Sequence, residues 1–527
     1  MNKSNNYSAV GEWIETAKNN NPVWIGDVRE SFAGIPDCFP VSMLITLLDG
    51  TEKEFNCPVP DWHSDGERDF LAEYLCSFMY NALSALGGRK YKLCYDKKNE
   101  KLCRLAEQAE KALRASDQGF SRIIRETERI AGLIPEISTH GEESGKAGNV
   151  ISRLRSAAEK ALSGTRAGID VGGTDIKLAV SVNGHLVETM EYDWNPGAFS
   201  SAGEILEPIL SLAEALLEKS GAEHFDGIGL SFPDVVMLDR ICGGETPKTQ
   251  GIRLNRRVDY EAEFAEIASL GTKLSGLCAP GAPVRIANDG SVAAFTSAVE
   301  IAFSPDASSV ADGVFSHALG TSLGTGWINR SCEIPLIPLE FYDSVIDLGS
   351  YGKKCLPASD IRSTCSSSGV QSVDRYLGQA SAFRYAFEED PELLSGYITD
   401  SCRIISEPSD LRKPCLEHLM REAEKGNPAA ERVFLRIGES FGQISREIIY
   451  LLSPETDKRY IFGRFVKYQK VFELLRKGFN SVLPGVVLLQ ADDSLAFSPL
   501  MQELALRKDI TVAQFGQAVG AVYFSGM

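Results

Sequence analysis

The stretch Ala167-Gly168-Ile169-Asp170-Val171-Gly172-Gly173-Thr174-Asp175-Ile176-Lys177 constrains this chain more than any other. A short apolar strand carries an acidic residue at its end, two glycines make the turn, and a second strand is expected over 176–182. Asn183-Gly184 tolerates positive φ, the strongest short-range hairpin signal, and 186–192 reads as a third strand. Glycine lets a backbone approach a phosphate closely and point N–H groups at its oxygens, and Thr174 adds a hydroxyl. Asp170 suits Mg2+, held directly or through water, because that ion takes one or two carboxylates with phosphates and waters. Taken alone, Gly172-Gly173 serves an ordinary tight turn equally well. Asp170 before it and Lys177 after it turn the reading towards a phosphate loop.

Gly320-Thr321-Ser322-Leu323-Gly324-Thr325-Gly326 is a second donor-rich turn, between strands expected at 313–319 and 326–329. Between the two turns, Ile286-Ala287-Asn288-Asp289-Gly290 ends a strand and leads into a helix over 291–302. Asp289 has two readings. It is an N-cap that accepts an N–H from the first helical turn, or a general base that takes the proton of an attacking hydroxyl while Asn288 orients the acceptor. Two such turns, each joining adjacent strands, are what a two-lobed phosphate clamp needs.

At 527 residues the chain exceeds what one core usually organises, so two or three domains are expected. Ahead of Arg166 lies a region that reads as mainly helical, with helices over 67–86, 100–116, 121–134 and 150–163, one strand over 41–48 and a polar linker over 136–149. After the first hairpin come a helix over 205–219 and a buried strand over 227–232. A second lobe starts near Ala311 and continues through helices over 428–452 and 466–478, with a strand over 460–462 between them. A net charge of −18 argues against nucleic-acid partners by bulk electrostatics, but leaves nucleotides free to bind through N–H groups and a metal. No basic cluster and apolar run open the chain, and no apolar stretch approaches ~18 residues, so neither a signal peptide nor a membrane span is expected. The 12 cysteines include no Cys-x-x-Cys pair, and a reduced, cytoplasmic protein is the simplest reading.

In the order Asp-x-Gly-Gly-Thr-x-x-Lys, Asn-Asp, Gly-Thr-x-x-Gly-x-Gly, residues 166–527 resemble the ROK family of repressors and sugar kinases, and more distantly hexokinases. Ile461-Phe462-Gly463 resembles the family's adenosine-site strand, and Phe515-Gly516-Gln517-Ala518-Val519-Gly520-Ala521 its final helix. The resemblance implies an α/β fold of two actin-like ATPase (ribonuclease H-like) lobes, 166–302 and 303–527, with 1–165 as an appended region. It implies ATP and Mg2+ as cofactors and a sugar as substrate, Asp289 being the base. ATP would lie against Asp170, Gly172, Gly173, Thr174, Lys177, Gly320, Thr321, Ser322, Gly324 and Gly463. Three segments look more like hexokinase: Ser231-Phe232-Pro233, Thr246-Pro247-Lys248-Thr249 and Leu339-Glu340-Phe341. By that likeness Asn288, Lys248, Thr249 and Glu340 join Asp289 around the sugar. Lys248 is equally a solvated loop lysine. Glu340 stands beside Pro335, Leu336, Ile337 and Leu339, where an unpaired buried carboxylate would be costly.

A catalytically weak sugar or nucleotide sensor is the alternative, and the presence of Asp289 favours an enzyme. No helix-turn-helix or basic stripe is evident before Arg166, which counts against a repressor. A homodimer is the oligomer to look for. The departures are as informative. The family's kinases carry a Cys-x-Cys-Gly-x-x-Gly-Cys-x-Glu zinc motif, whereas Ser363-Thr364-Cys365-Ser366-Ser367-Ser368-Gly369-Val370-Gln371-Ser372 keeps only Cys365 and Gly369. Asp343 stands where the family has a histidine, and Pro233-Asp234 where it has Pro-Gly. A closed zinc site takes four ligands, typically thiolates and imidazoles, and neither Ser363 nor Val370 can stand in for a thiolate. The protein is therefore expected to hold no structural zinc. Metal analysis of protein purified without chelator checks this, and stoichiometric zinc lost together with folding would contradict it.

Overall fold

The computed structural model describes residues 8–115, 121–131, 150–244, 246–320, 322–353, 356, 362, 372–397, 409–490 and 496–527. The expected linker at 136–149, Thr321, Cys355 and the 363–371 part of the cysteine-poor segment lie outside them. The chain begins with α1 (Ala9–Lys18), α2 (Ile25–Ala33), β1 (Ser42–Thr46), β2 (Glu52–Asn56), α3 (Asp65–Leu86), β3 (Lys90–Cys94), α4 (Glu100–Arg114), α5 (Ser121–Ala131) and α6 (Val150–Ala161). α3, α4, α5 and α6 fall where the apolar periodicity put them, whereas α1 and α2 were not anticipated. The strands correct the picture of a mainly helical region, because β2-β1-β3 form an antiparallel sheet. Sequence reasoning missed β2 and β3, and β2 presents mostly polar residues. In β2 only Phe55 is buried, so there is almost no alternation to read.

α3 is the axis of this region. Ser64 and Glu67 close a capping box at its start, and Gly87, at φ 65°, ends it. From Tyr74 to Leu86 every residue is buried, as expected of a helix covered on all sides.

Two central sheets repeat one scheme. In the first, β4 (Thr165–Val171), β5 (Asp175–Val182) and β6 (His185–Asp193) form an antiparallel meander. α7 (Ala202–Ser220) then crosses over to β7 (Gly227–Phe232), which lies parallel to β4. A small hairpin of β8 (Val236–Met237) and β9 (Arg240–Ile241) precedes β10 (Val284–Asn288), and the order is β10-β7-β4-β5-β6. α8 (Asp289–Phe303) leads to the second sheet. Its antiparallel β11 (Val314–Leu319) and β12 (Leu323–Ile328) are followed by α9 (Gln379–Glu389) and α10 (Pro428–Leu452). β13 (Lys458–Phe462), α11 (Gln469–Val482) and β14 (Val487–Gln490) complete the order β12-β11-β13-β14, with β11, β13 and β14 parallel. A hairpin extended by parallel strands, used twice, is the two-lobed actin-like α/β arrangement. The last helix, α12 (Val512–Phe524), returns to the first sheet and lies against β4 and β7.

The first region and the second lobe share one hydrophobic core. Phe32, Met43, Phe70, Phe78 and Leu83 pack in a single cluster with Phe315, Phe341, Phe383, Phe441 and Ile444. Inside it, Arg29 of α2 donates from Nη1 to Glu447 Oε2 of α10 at 2.7 Å, with both side chains buried. The same guanidinium lies 3.7 Å over the Tyr450 ring. Removing one partner of a buried pair strands the other charge, at a cost of about 3–5 kcal/mol. Arg29→Met is therefore expected to lower unfolding stability by about that much in urea denaturation. A loss below about 1 kcal/mol would mean that the pair does not hold the two regions together.

Candidate active site

Strand register assembles the first half of the site. Asp170 lies opposite Ser231 across β4 and β7, and Asn288 lies opposite Phe232 across β7 and β10. The carboxyl ends of three neighbouring parallel strands thus deliver Asp170, Ser231 and Asn288-Asp289 to one edge of the sheet, where open α/β sheets bind ligands. Ser231 Oγ donates to Asp170 Oδ1 at 2.7 Å. Gln517 of α12 donates from Nε2 both to Ser231 Oγ, at 3.1 Å, and to the Asp289 carbonyl, at 2.8 Å.

Asn288, not Asp289, is the N-cap of α8. Its Oδ1 accepts from Gly290 N at 2.9 Å, while its Nδ2 donates to the Asp234 carbonyl at 3.0 Å. Asp289 is the first helical residue, and its Oδ1 also accepts from Gly290 N, at 2.8 Å. Burial raises the Asp289 pKa above the ordinary carboxylate value, and the charge of Lys248 works against that rise. Asp170 is pushed up to about 6 by burial, an effect that Ser231's hydrogen bond reduces and the neighbouring charge of Asp289 increases.

Lys248 is more than a solvated loop residue. Its Cε lies 3.7 Å from where a Cβ on Gly173 would stand, so it reaches the first turn as well as Asp289. The loop that carries it is tightly built. Asp234 accepts from Gly244 N at 2.9 Å, and Thr249 Oγ1 donates to the Gly244 carbonyl at 3.1 Å while accepting from Tyr260 OH at 3.1 Å. Arg129 of α5 donates to the Gly243 carbonyl. Thr249 is buried, and its hydroxyl shapes this loop. In the first turn, Gly172 N donates to the Asp175 carbonyl at 2.8 Å, and Trp194 Nε1 to the Gly172 carbonyl at 3.0 Å. Thr174 is exposed. Lys177 pairs with Asp175 and, at 3.4 Å, with Glu191, and its charge extends to Asp170.

The second turn is shorter than expected. β12 begins at Leu323, which leaves Gly320–Ser322 as the turn and places Gly324 in the strand opposite Ala318. Ser322 Oγ donates to Asp374 Oδ1 at 2.5 Å. Gly463, at φ +98°, sits where a Cβ would come 2.2 Å from the Leu319 carbonyl, so it closes on the strand that leads into this turn. The two halves meet backbone to backbone. A Cβ on Gly326 would stand 1.8 Å from the Gly290 carbonyl oxygen, and one on Gly290 would stand 2.4 Å from that of Thr325.

Glu340 is half-buried and belongs to a segment fastened to α3. Its N–H donates to the Ser84 carbonyl at 3.1 Å and its carbonyl accepts from Ser84 Oγ at 2.8 Å. Asp343 is fully buried and accepts from Tyr80 OH at 2.5 Å. Sequence reasoning missed Gln517, Asp234 and Asp374. For Gln517 a signal existed, an amide flanked by small and apolar residues inside the closing helix.

These contacts generate a paired prediction. Gly326→Ala forces Cβ into backbone, for which overpacking of about 1–3 kcal/mol is expected, together with loss of ligand-dependent function. Gly320→Ala meets nothing within 4 Å and should keep wild-type stability. Thermal melts of both variants check this, and equal melting temperatures would contradict the contact.

No family model matches the chain, and no curated protein matches it. Solved structures do. One is a ROK family glucokinase from Streptomyces griseus in complex with glucose and AMPPNP, at 20% identity and a TM-score of 0.44, covering 68% of this chain and 98% of that one. A ROK hexokinase from Thermus thermophilus matches at 17% identity and 0.40, over 68% and 97%. A ROK family transcriptional regulator, a homolog of the E. coli MLC protein, matches at 14% and 0.43, over 79% and 96%. The solved structures similar to this chain thus include ROK family sugar kinases alongside a regulator of the same family.

Proposed function

We propose that this protein is an ATP- and Mg2+-dependent kinase that transfers the γ-phosphoryl group to a sugar hydroxyl. The observation that carries the reading is the placement of Asp289, raised in pKa by burial, beside Lys248 and Asp170 and between two glycine-containing hairpin turns. A base of raised pKa at the start of a helix is suited to accept the proton of an attacking hydroxyl. Asn288, fixed by its two hydrogen bonds, and Glu340 orient the sugar in this reading. Gly173 and Thr174 offer N–H and hydroxyl donors to the phosphates in this reading, Gly172 and Gly320 shape the two turns that receive them, and Gly463 borders the adenosine. Lys248, in reach of both the first turn and Asp289, balances negative charge where the transferred group would pass.

The residues present fit magnesium. Asp170 is a half-buried carboxylate with one oxygen on Ser231; burial and the neighbouring charge of Asp289 push its pKa up to about 6, so an added cation beside it would be favoured. When bound, the ion would neutralise phosphate charge and supply electrostatic stabilisation of the transferred group. The division of labour follows the chain: 166–302 brings the first turn and the base, 303–527 brings the second turn, and 1–165 buttresses the latter.

ADP release measured across hexoses, N-acetylhexosamines and their derivatives tests the activity. With the best acceptor, Asp289→Asn is expected to lower kcat roughly 10²–10⁴-fold while nucleotide affinity stays close to wild type. Near-normal turnover in that variant would remove Asp289 from the role. A full panel without ADP release would favour a sensor.

A further inference from the structure

Outside the candidate active site, the 20–24 segment, α9 and α10 line a cavity of about 710 Å³, within the range of small-molecule sites. Trp24, Tyr376 and Tyr385 give it aromatic surface, and Arg362, Arg384 and Arg436 give it three guanidinium groups. None of these residues belongs to the candidate active site. We propose that this cavity is a second binding site, for a phosphate monoester whose body packs on the aromatic walls, and that it communicates with the second hairpin turn.

The arginines are held as a ligand site would hold them. Arg384 is only 4% exposed, and its Nε has no hydrogen-bond partner although Nη1 donates to Glu388 at 2.8 Å. A buried donor left unmade costs about 1–3 kcal/mol, and more when charged. Arg362 is also buried, donates to the Asn20 carbonyl at 3.1 Å, and its charge opposes that of Arg384. Arg436 lies 4.0 Å over the Tyr385 ring, shares Glu388 with Arg384, and donates from Nη1 to Glu389 at 3.1 Å. Among the described residues, the carboxylates lining the cavity are Glu388, already shared, and Glu439, which burial pushes towards its neutral form. A phosphate dianion would supply the acceptor that Arg384 Nε lacks, in the forked geometry that guanidinium groups favour. Convergence of arginines is notable in a chain of net charge −18.

The link to the active site is a short run of bonds. Arg384 Nη2 donates to the Arg375 carbonyl at 3.2 Å. Arg375 and Asp374 share one turn of 3-10 helix, Val373–Arg375, and Asp374 accepts from Ser322 Oγ in the second hairpin turn. A ligand that draws on Arg384 therefore acts on the group that fixes Ser322, and nucleotide at that turn acts back on the ligand with equal coupling.

Calorimetric titration of glucose 6-phosphate into the full chain tests the proposal, with inorganic phosphate as a second arm. Titration of Gly173→Val, in which the first turn is filled, separates this site from product binding in the cleft. One equivalent is expected to bind to wild type and to Gly173→Val alike. Arg384→Gln should weaken binding roughly 10–100-fold, the scale of a charge-assisted hydrogen bond. Because Arg384 is buried, Arg436→Gln, at a more exposed position, serves as the second variant and should weaken binding several-fold with an unchanged circular dichroism spectrum. Absence of binding to wild type at 10 mM, binding lost in Gly173→Val, or wild-type affinity in both arginine variants would overturn the site. Inorganic phosphate binding as tightly as the ester would overturn the assignment to a monoester.

Discussion

Where α8 begins, its backbone rests directly on β12, with Gly290 and Gly326 face to face and no side chain between them. Everything the site does depends on that approach. Asp289 projects from the first residue of α8, which ends the first sheet, and the second hairpin is the connection into β12. Close contact of the two fixes the distance between a carboxylate of one lobe and the donors of the other. A methyl group at either glycine would separate them. The hydrogen bonds from Gln517 to Ser231 and to the Asp289 carbonyl tie the closing helix to the same point, so the last segment of the chain helps set the geometry of the first turn.

From α1 to α4, the region before Arg166 is part of the architecture of the second lobe, while α5 and α6 also reach the first. α3 runs beside residues 339–350 and binds them in sequence: Ala85 and Ser84 hold Leu339 and Glu340, Tyr80 holds Asp343, Asn81 exchanges two bonds of 2.8 Å with Val345, and Glu73 holds Ser350. These are successive turns on one helix, so a single rigid element dictates the path of the whole segment. The buried carboxylate of Asp343 accepts a hydrogen bond from Tyr80 of α3. Packing and hydrogen bonds to α3 thus anchor the segment that carries Glu340.

Much of this was legible in the sequence, for identifiable reasons. β4, β5 and β6 announce themselves through apolar runs separated by Gly172-Gly173 and Asn183-Gly184, and α10 matches its periodic pattern from end to end. The placement of Asp170 and Asp289 at strand ends followed from the same local signals. Contacts between distant segments could not be read this way. Nothing local says that Asn81 meets Val345, that Arg129 reaches Gly243, or that α2 and α10 share a buried ion pair. The second turn misled because small residues suit both a loop and a strand lying against a helix. Gly324 and Gly326 serve the strand.

The central claim is that the first turn, with its open space beside Lys248, receives nucleotide phosphates. Calorimetric titration of AMPPNP with Mg2+ into wild type and Gly173→Val tests it most directly, because a valine there fills the gap between the turn and Lys248 without burying or exposing a charge. The account predicts one nucleotide bound per chain in the wild type and a loss of at least roughly 100-fold in affinity in the variant, or about 2.7 kcal/mol. Equal affinity in the two proteins would contradict it.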